Sequence, residues 1–285
     1  VQSNLTRITE VTNYLPAWVD ERVSRAKSTT DEEVENLAIW KELTADGQSL
    51  AEQGDFESAM FVFEGALEFA LEHFGPSHWL AFNSARETGL SARQMGDAAT
   101  ADDMYNKAYG ISSNLLGDAH PQTQYVAGLI AELFNATQAF EESRMMKELI
   151  TENYESEFGI AHSLTLKSRL AEVDALVSIA DNAGAKQLLD SVCETYMRYF
   201  SAYHTETFRC KSKLARLIRE TGSLDEAEKL LLEALRNLES STEDLSELAL
   251  GLRLDLADIY WERGNYQIAK DMLSELILSA KQIGA

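Results

Sequence analysis

The sequence predicts an all-α solenoid of six stacked helix pairs, and three observations carry that prediction. Four of the five histidines, His78, His120, His162 and His204, fall at intervals of 42 residues. Steps of the same length lead through Gly54, Gly96, Gln138, Ala180, Gly222 and Gly264, six equivalent positions of which four are glycine. Small residues recur around each mark. Seven before it stand Gly47, Gly89, Ala131, Val173, Ala215 and Ala257, and five after it Ala59, Ala101, Ser143, Ala185, Ala227 and Ala269. Self-similarity at a fixed period of this length is the signature of a repeat architecture.

Each copy reads as one amphipathic helix ending near its mark, a short turn, and a second helix starting just after. Four residues before the mark come Leu50, Ala92, Phe134, Leu176, Ile218 and Tyr260, all apolar. Eight after it come Val62, Met104, Met146, Leu188, Leu230 and Met272, facing the same seam. Small residues let two helix backbones approach closely, and neither helix buries its stripe alone, so neighbouring copies must stack. The array occupies residues 36–285, with turns near 54, 96, 138, 180, 222 and 264. The third copy lacks its turn glycine, and Ala180 leaves open a register two residues later in the fourth. Residues 1–35 fall outside the copies. Thr9 to Lys27 are expected as one helix, starting late or kinked at Pro16, that either caps the array or links it to something else. Thr30 and Glu33 then form a capping box for the first copy.

The four histidine loops, "FGPSHWLA", "LGDAHPQT", "FGIAHSLT" and "FSAYHTET", close one copy and begin the next. His120 is expected at a helix N-cap with Pro121 at the first helical position, where a missing N–H costs nothing. Thr123, Thr165 and Thr207 are expected near the free amides of that turn. The histidines do not read as a metal site. Stacked copies hold equivalent atoms about 8–10 Å apart, whereas zinc ligands sit about 2 Å from a shared ion.

The small positions twelve apart resemble those of the tetratricopeptide repeat. The longer 42-residue unit, with its loop from Leu116 to Thr123, is similar to the kinesin-light-chain type of array, over roughly residues 36–283. The resemblance implies a right-handed solenoid whose first helices line a concave groove holding an extended or helical peptide. For the kinesin-light-chain type it implies acidic, aromatic-containing peptides. On that template the exposed face of each first helix lies thirteen, ten, six and three residues before the mark. The candidate peptide-binding residues are Lys41, Asn83, Arg86, Leu90, Arg93, Tyr125, Asn135, Arg209, Arg216, Arg219 and Trp261. Of the 24 positions on this face, seven are basic and three acidic, the reverse of the chain's own balance. Arginine pairs there are suited to forking onto carboxylates or a phosphorylated residue.

The chain as a whole carries 47 acidic and 25 basic residues, a net charge of −22. Such a surface repels nucleic acid and anionic membranes, and no apolar run is long enough to span a bilayer. Cys193 and Cys210, 17 apart and without zinc-ligand spacing, read as separate buried apolar residues in a reduced, cytoplasmic compartment. No nucleotide-binding, nucleophile-elbow or metalloprotease motif is present, so neither catalysis nor a cofactor is expected. The expected function is a scaffold or adaptor that binds an acidic or amphipathic segment of a partner protein. The alternative is the sensor or autoinhibitory part of a larger signalling protein carrying a kinase, NTPase or protease. Homo-oligomerisation through the apolar ends is a third option.

Overall fold

The computed structural model describes residues 31–239 and 246–283. Among them are twelve α-helices and no strand. The helices are α1 (Asp31–Glu52), α2 (Phe56–His73), α3 (Trp79–Met95), α4 (Ala98–Leu116), α5 (Pro121–Ala136) and α6 (Phe140–Phe158), followed by α7 (Ser163–Ser178), α8 (Asn182–Tyr199), α9 (Thr205–Glu220), α10 (Leu224–Glu239), α11 (Ser246–Glu262) and α12 (Tyr266–Ile283). Odd numbers are the first helices of the six copies and even numbers the second. The helix expected over Thr9 to Lys27, and Thr30 of the capping box expected for the first copy, lie outside the described residues. The first copy's helix starts at Asp31, before the boundary at 36 read from the period.

Two compact units divide the chain, Val1–Gly117 and Asp118–Ala285. The first contains α1 to α4, the second α5 to α12. Within each unit every helix packs on the next in sequence, and α1 also meets α3, as α9 meets α11. Phe63, Leu80, Phe82 and Tyr105 are fully buried in the first unit; Leu166, Leu189, Phe208, Leu231, Leu252 and Ile259 are fully buried in the second.

All six marks adopt the left-handed backbone. The φ angles are 82° at Gly54 and Gly96, 63° at Gln138, 61° at Ala180, 88° at Gly222 and 80° at Gly264. The second helix starts two residues later in every copy, so the register does not slip at Ala180. Gly184, four residues past that mark, has its N–H bonded to the Asp181 carboxylate at 2.9 Å, and a Cβ there would lie 2.4 Å from that carboxylate. Asp55 and Asp97 cap α2 and α4 in the same way, through Ser58 and Thr100, whereas Ala139 offers α6 no cap. The hydroxyl and amide of Thr100 hold the Asp97 carboxyl below its ordinary range. These caps, one residue after each mark, are absent from the sequence reading although Asp is a standard cap residue.

Left-handed backbone strains residues with a Cβ, and glycine relieves it at some cost in unfolded-chain entropy. Gln138→Gly and Ala180→Gly should therefore each stabilise the protein by about 0.5–1 kcal/mol. Urea unfolding will register this as a higher midpoint at unchanged slope; a midpoint that stays or falls would show that neither position is strained.

His120 caps its first helix as expected, and His78, His162 and His204 do the same. Nδ1 of His78, His120, His162 and His204 accepts the N–H two residues on at 3.2–3.3 Å. Accepting requires an unprotonated Nδ1, and burial pushes the pKa of His78 and His120 below the ordinary imidazole value. Phe74, Phe158 and Phe200 each lie against the histidine four residues later, with ring centroids 4.6–5.3 Å apart. The threonines act differently from the expectation. Thr165 and Thr207 donate to the carbonyls of Gly159 and Ser201, at 2.9 and 2.8 Å, rather than accepting from helix amides. Thr123 Oγ1 is buried without a hydrogen-bond partner. The imidazole already serves the amide, which leaves the hydroxyl to tie down the loop. Gly75, Gly117, Gly159 and Ser201 form a second left-handed series in those loops.

The small residues seven before each mark face the position nine after it. A Cβ on Gly47 would lie 2.6 Å from the Phe63 ring, and one on Gly89 2.6 Å from the Tyr105 ring. At the corresponding positions of the other four copies the sequence has Ala131 with Lys147, Val173 with Leu189, Ala215 with Leu231 and Ala257 with Leu273, none of the second residues aromatic. Glycine is thus confined to the two copies in which a ring needs the space.

One expectation is overturned. Cys193 on α8 and Cys210 on α9 are not separate thiols: they form a disulfide, with Cα atoms 5.5 Å apart. The sequence spacing hid this because the pair crosses a copy boundary, where thirteen after one mark meets twelve before the next. The bridge also removes the ground on which a reduced compartment was expected.

Candidate functional site

In the first unit the candidate face lies on α1 and α3. Lys41 and Gln48 are exposed on α1, while Thr44 turns inward and donates to the Trp40 and Lys41 carbonyls. Trp40 Nε1 donates to Ser84 Oγ at 2.9 Å, which fixes α1 against α3. On α3, Asn83, Leu90 and Arg93 are half-buried. Arg86, expected on the exposed face, is only 5% exposed. Its Nη2 lies 2.5 Å from Glu87 Oε1, and the guanidinium carbon stands 5.6 Å from the Phe82 ring centre. Two atoms on this face have no hydrogen-bond partner despite full burial: Asn83 Oδ1 and Arg86 Nε. Three residues apart, they sit on one side of α3, one turn from each other.

In the second unit the face lies on α5, α7, α9 and α11. Tyr125 is half-buried, and Glu132, Asn135, Lys167, Asp174 and Val177 are exposed. The arginines of α9 are partnered. Arg209 binds Glu206 at 2.9 Å, Arg216 binds Asp255 at 2.7 Å, and Arg219 binds Asp258 at 2.7 Å with Glu262 at 3.5 Å. Asp255, itself buried, also accepts from Ser212 Oγ at 2.6 Å. One copy earlier, Lys213 reaches back to Asp174 at 2.7 Å. Trp261 is 57% exposed and meets Tyr266 edge-on at 4.8 Å. The first helices α7, α9 and α11 are therefore laced together by acid–base pairs across copy boundaries.

Solved structures are similar to this helical array. A protein of kinesin light chain type from Podosopora anserina, built of nearly identical TPR-like repeats, aligns with a TM-score of 0.57 and 20% identity, covering 74% of this chain and 98% of its own. BtubC from P. vanneervenii aligns with a TM-score of 0.58 and 14% identity over 82% of this chain and 92% of its own. The chain folds as a tetratricopeptide-type solenoid. A signal transduction ATPase from Pyrococcus horikoshii with a tetratricopeptide repeat sensor gives a TM-score of 0.62 at 15% identity, with 95% of this chain matching 40% of that one. No family model matches the sequence, and a comparison with curated proteins finds no match.

Across this tetratricopeptide array the face read from the sequence is narrower than expected. Of the six positions ten before the mark, Thr44, Arg86 and Ser212 are buried, Gly128 and Leu170 half-buried and Leu254 exposed. Positions thirteen, six and three before the mark keep Lys41, Lys167, Arg209, Arg216 and Trp261 exposed. The basic excess counted on the face is met by Glu206, Asp255 and Glu262, which occupy positions outside the four counted. Among the described residues no three of His, Cys, Asp and Glu come together as metal ligands would, and no helix is long and apolar enough to cross a membrane.

Proposed function

We propose that this chain is a protein-interaction scaffold whose first-helix face holds a peptide segment of a partner. The observation that carries the reading is the orphaned pair on α3, the acceptor Asn83 Oδ1 and the donor Arg86 Nε. A buried polar atom without a partner costs about 1–3 kcal/mol. Asn83 is half-buried, so a turn of its side-chain amide brings Oδ1 to a peptide N–H, whereas Arg86 Nε is closed to solvent and meets a peptide C=O only if Arg86 itself moves. In this reading the array binds and does not catalyse.

The preference for acidic or amphipathic segments belongs to the same proposal, with a condition set by the ion pairs. Lys41 and Lys167 are exposed to an incoming acid, as is Arg209, whose partner Glu206 lies on the same helix. Arg216 and Arg219 already hold Asp255 and Asp258. A ligand carboxylate gains from them only the difference between two similar pairs, so a phosphorylated residue, with more charge and more acceptor oxygens, exchanges more favourably.

Peptides selected from a proteome-derived display will be measured by fluorescence anisotropy against the wild type and Asn83→Ala. Alanine removes an acceptor that has no internal partner, so the thermal midpoint should hold while affinity drops about tenfold. Peptides that bind the variant equally well would rule out this face. A second reading, the sensor part of a larger signalling protein, is favoured by the likeness to the sensor-bearing ATPase. The two differ in whether a peptide bound to this chain changes the activity of an attached domain.

A further inference from the structure

Second helices have a solvent-facing side that the stacking of copies does not use. Positions seven and eleven after the mark are exposed in all six copies, twelve residues in all. Four copies fill both with polar side chains: Asp103 and Lys107, Gln187 and Ser191, Lys229 and Glu233, Asp271 and Glu275. The first pairs Phe61 with Gly65. Only the third makes both large and apolar, with Met145 60% exposed and Leu149 37% exposed on α6. Since polar residues serve the fold equally well at these places, packing does not call for this pair.

The two side chains sit in a cleft of about 610 Å³ that also takes in Phe134 of α5, Met146, Glu142, Glu148 and Glu152. That volume suits several side chains of a ligand. Its floor is apolar and includes two methionines, whose unbranched, polarizable chains adapt to varied partners. Its rim is acidic: Glu142 and Glu152 are exposed, and Glu148 shares Arg144 with Glu141 at 2.9 and 3.0 Å.

We propose that this side of α6 is a second docking surface, separate from the first-helix face, for a short amphipathic helix of a partner with an apolar stripe flanked by Lys or Arg. The stripe fills the space above Met145 and Leu149, spaced one turn apart as helix-in-groove anchors are, and the basic flanks answer the glutamates. This occupant differs in charge from the segment expected on the first-helix face.

The probe is a fluorescein-labelled peptide of about 16 residues, roughly 24 Å as a helix, with Leu at helical spacing and Lys elsewhere. Its controls are the same composition scrambled and a version with Glu for Lys. The variant is Met145→Gln with Leu149→Ser, which puts into this copy the residues of the next one, so its thermal midpoint should be unchanged. The Lys probe should bind the wild type about tenfold more tightly than either control, and the variant should lose that margin. In the wild type with ¹³C-methyl methionine, the Met145 signal, one of seven, should shift on titration; this readout stands even if the variant folds poorly. Asn83→Ala should leave all of it intact. Equal binding of the scrambled probe, an unchanged variant, or a Met145 methyl that stays still while others move would overturn the proposal. So would self-association of the wild type in light scattering that the variant abolishes, which would make the occupant a second copy.

Discussion

Opening the Cys193–Cys210 bridge lowers the stability of the second unit by about 3 kcal/mol, the value expected for closing a chain segment of about this length. The residues are 17 apart and flank the loop in which Ser201 replaces the glycine of the three earlier loops, with φ 107°. Closure therefore acts where the chain has most to lose from being free: a left-handed residue bearing a Cβ, between two helices of different copies. Cys193→Ala with Cys210→Ala will show the loss as a lower urea midpoint in the circular dichroism of the second unit. The wild type unfolded and refolded with dithiothreitol should behave as the variant does. Because both sulfurs are buried, reductant added to the folded protein acts slowly, and the equilibrium must be approached through unfolding. Fluorescence of Trp40 and Trp79, buried in the first unit, should report an unchanged transition there. Equal midpoints with and without the bridge would show that it carries no stability.

Gly89→Ala tests the packing rule between first and second helices, and its sign decides the matter. On helix propensity alone, alanine in the middle of α3 should stabilise by about 1 kcal/mol. The new Cβ would meet the Tyr105 ring at 2.6 Å and Met104 Cβ at 3.3 Å, and Tyr105 is fully buried with no room to swing away. Overpacking of this kind costs about 1–3 kcal/mol, which outweighs the propensity gain, so a net destabilisation of about 1 kcal/mol is expected. In a Tyr105→Leu background, which imitates the pairing of Ala215 with Leu231, most of that penalty should vanish. Additive effects in the double-mutant cycle would show that the ring and the glycine do not share a contact.

The period and what hangs on it were legible because each rests on local chemistry repeated in at least four copies. Turn positions, histidine caps and small seam residues each follow from one chain segment and its own backbone. The missing glycine at Gln138 did not disturb the turn position, since flanking copies fix the turn length, whereas Ala180 left its register open until the backbone was seen. Features that depend on where two copies meet were less legible. The disulfide joins positions whose equivalents in other copies include simply buried residues, such as Leu67 and Ser84 or Thr151 and Ser168. Asking which positions of adjacent copies oppose each other would have found it. The basic face was misjudged for the same reason: its charges were counted along each helix, while their acidic partners, Asp255 and Glu262, sit on the following first helix at positions not counted. The apolar pair on α6 was visible in the letters, yet only the exposure of all twelve equivalent positions separates it from core.

The left-handed turn that survives without glycine has a consequence for how such a chain diverges after duplication. A copy that loses its signature residue at Gln138, Ala180 or Ser201 keeps its shape, because its neighbours hold the backbone at a cost of about 1 kcal/mol. Ancestral identity between copies can then erode while the spacing persists. Each unit of 42 residues becomes free to acquire a surface of its own, and a lineage can gain new recognition by altering one module without renegotiating the rest.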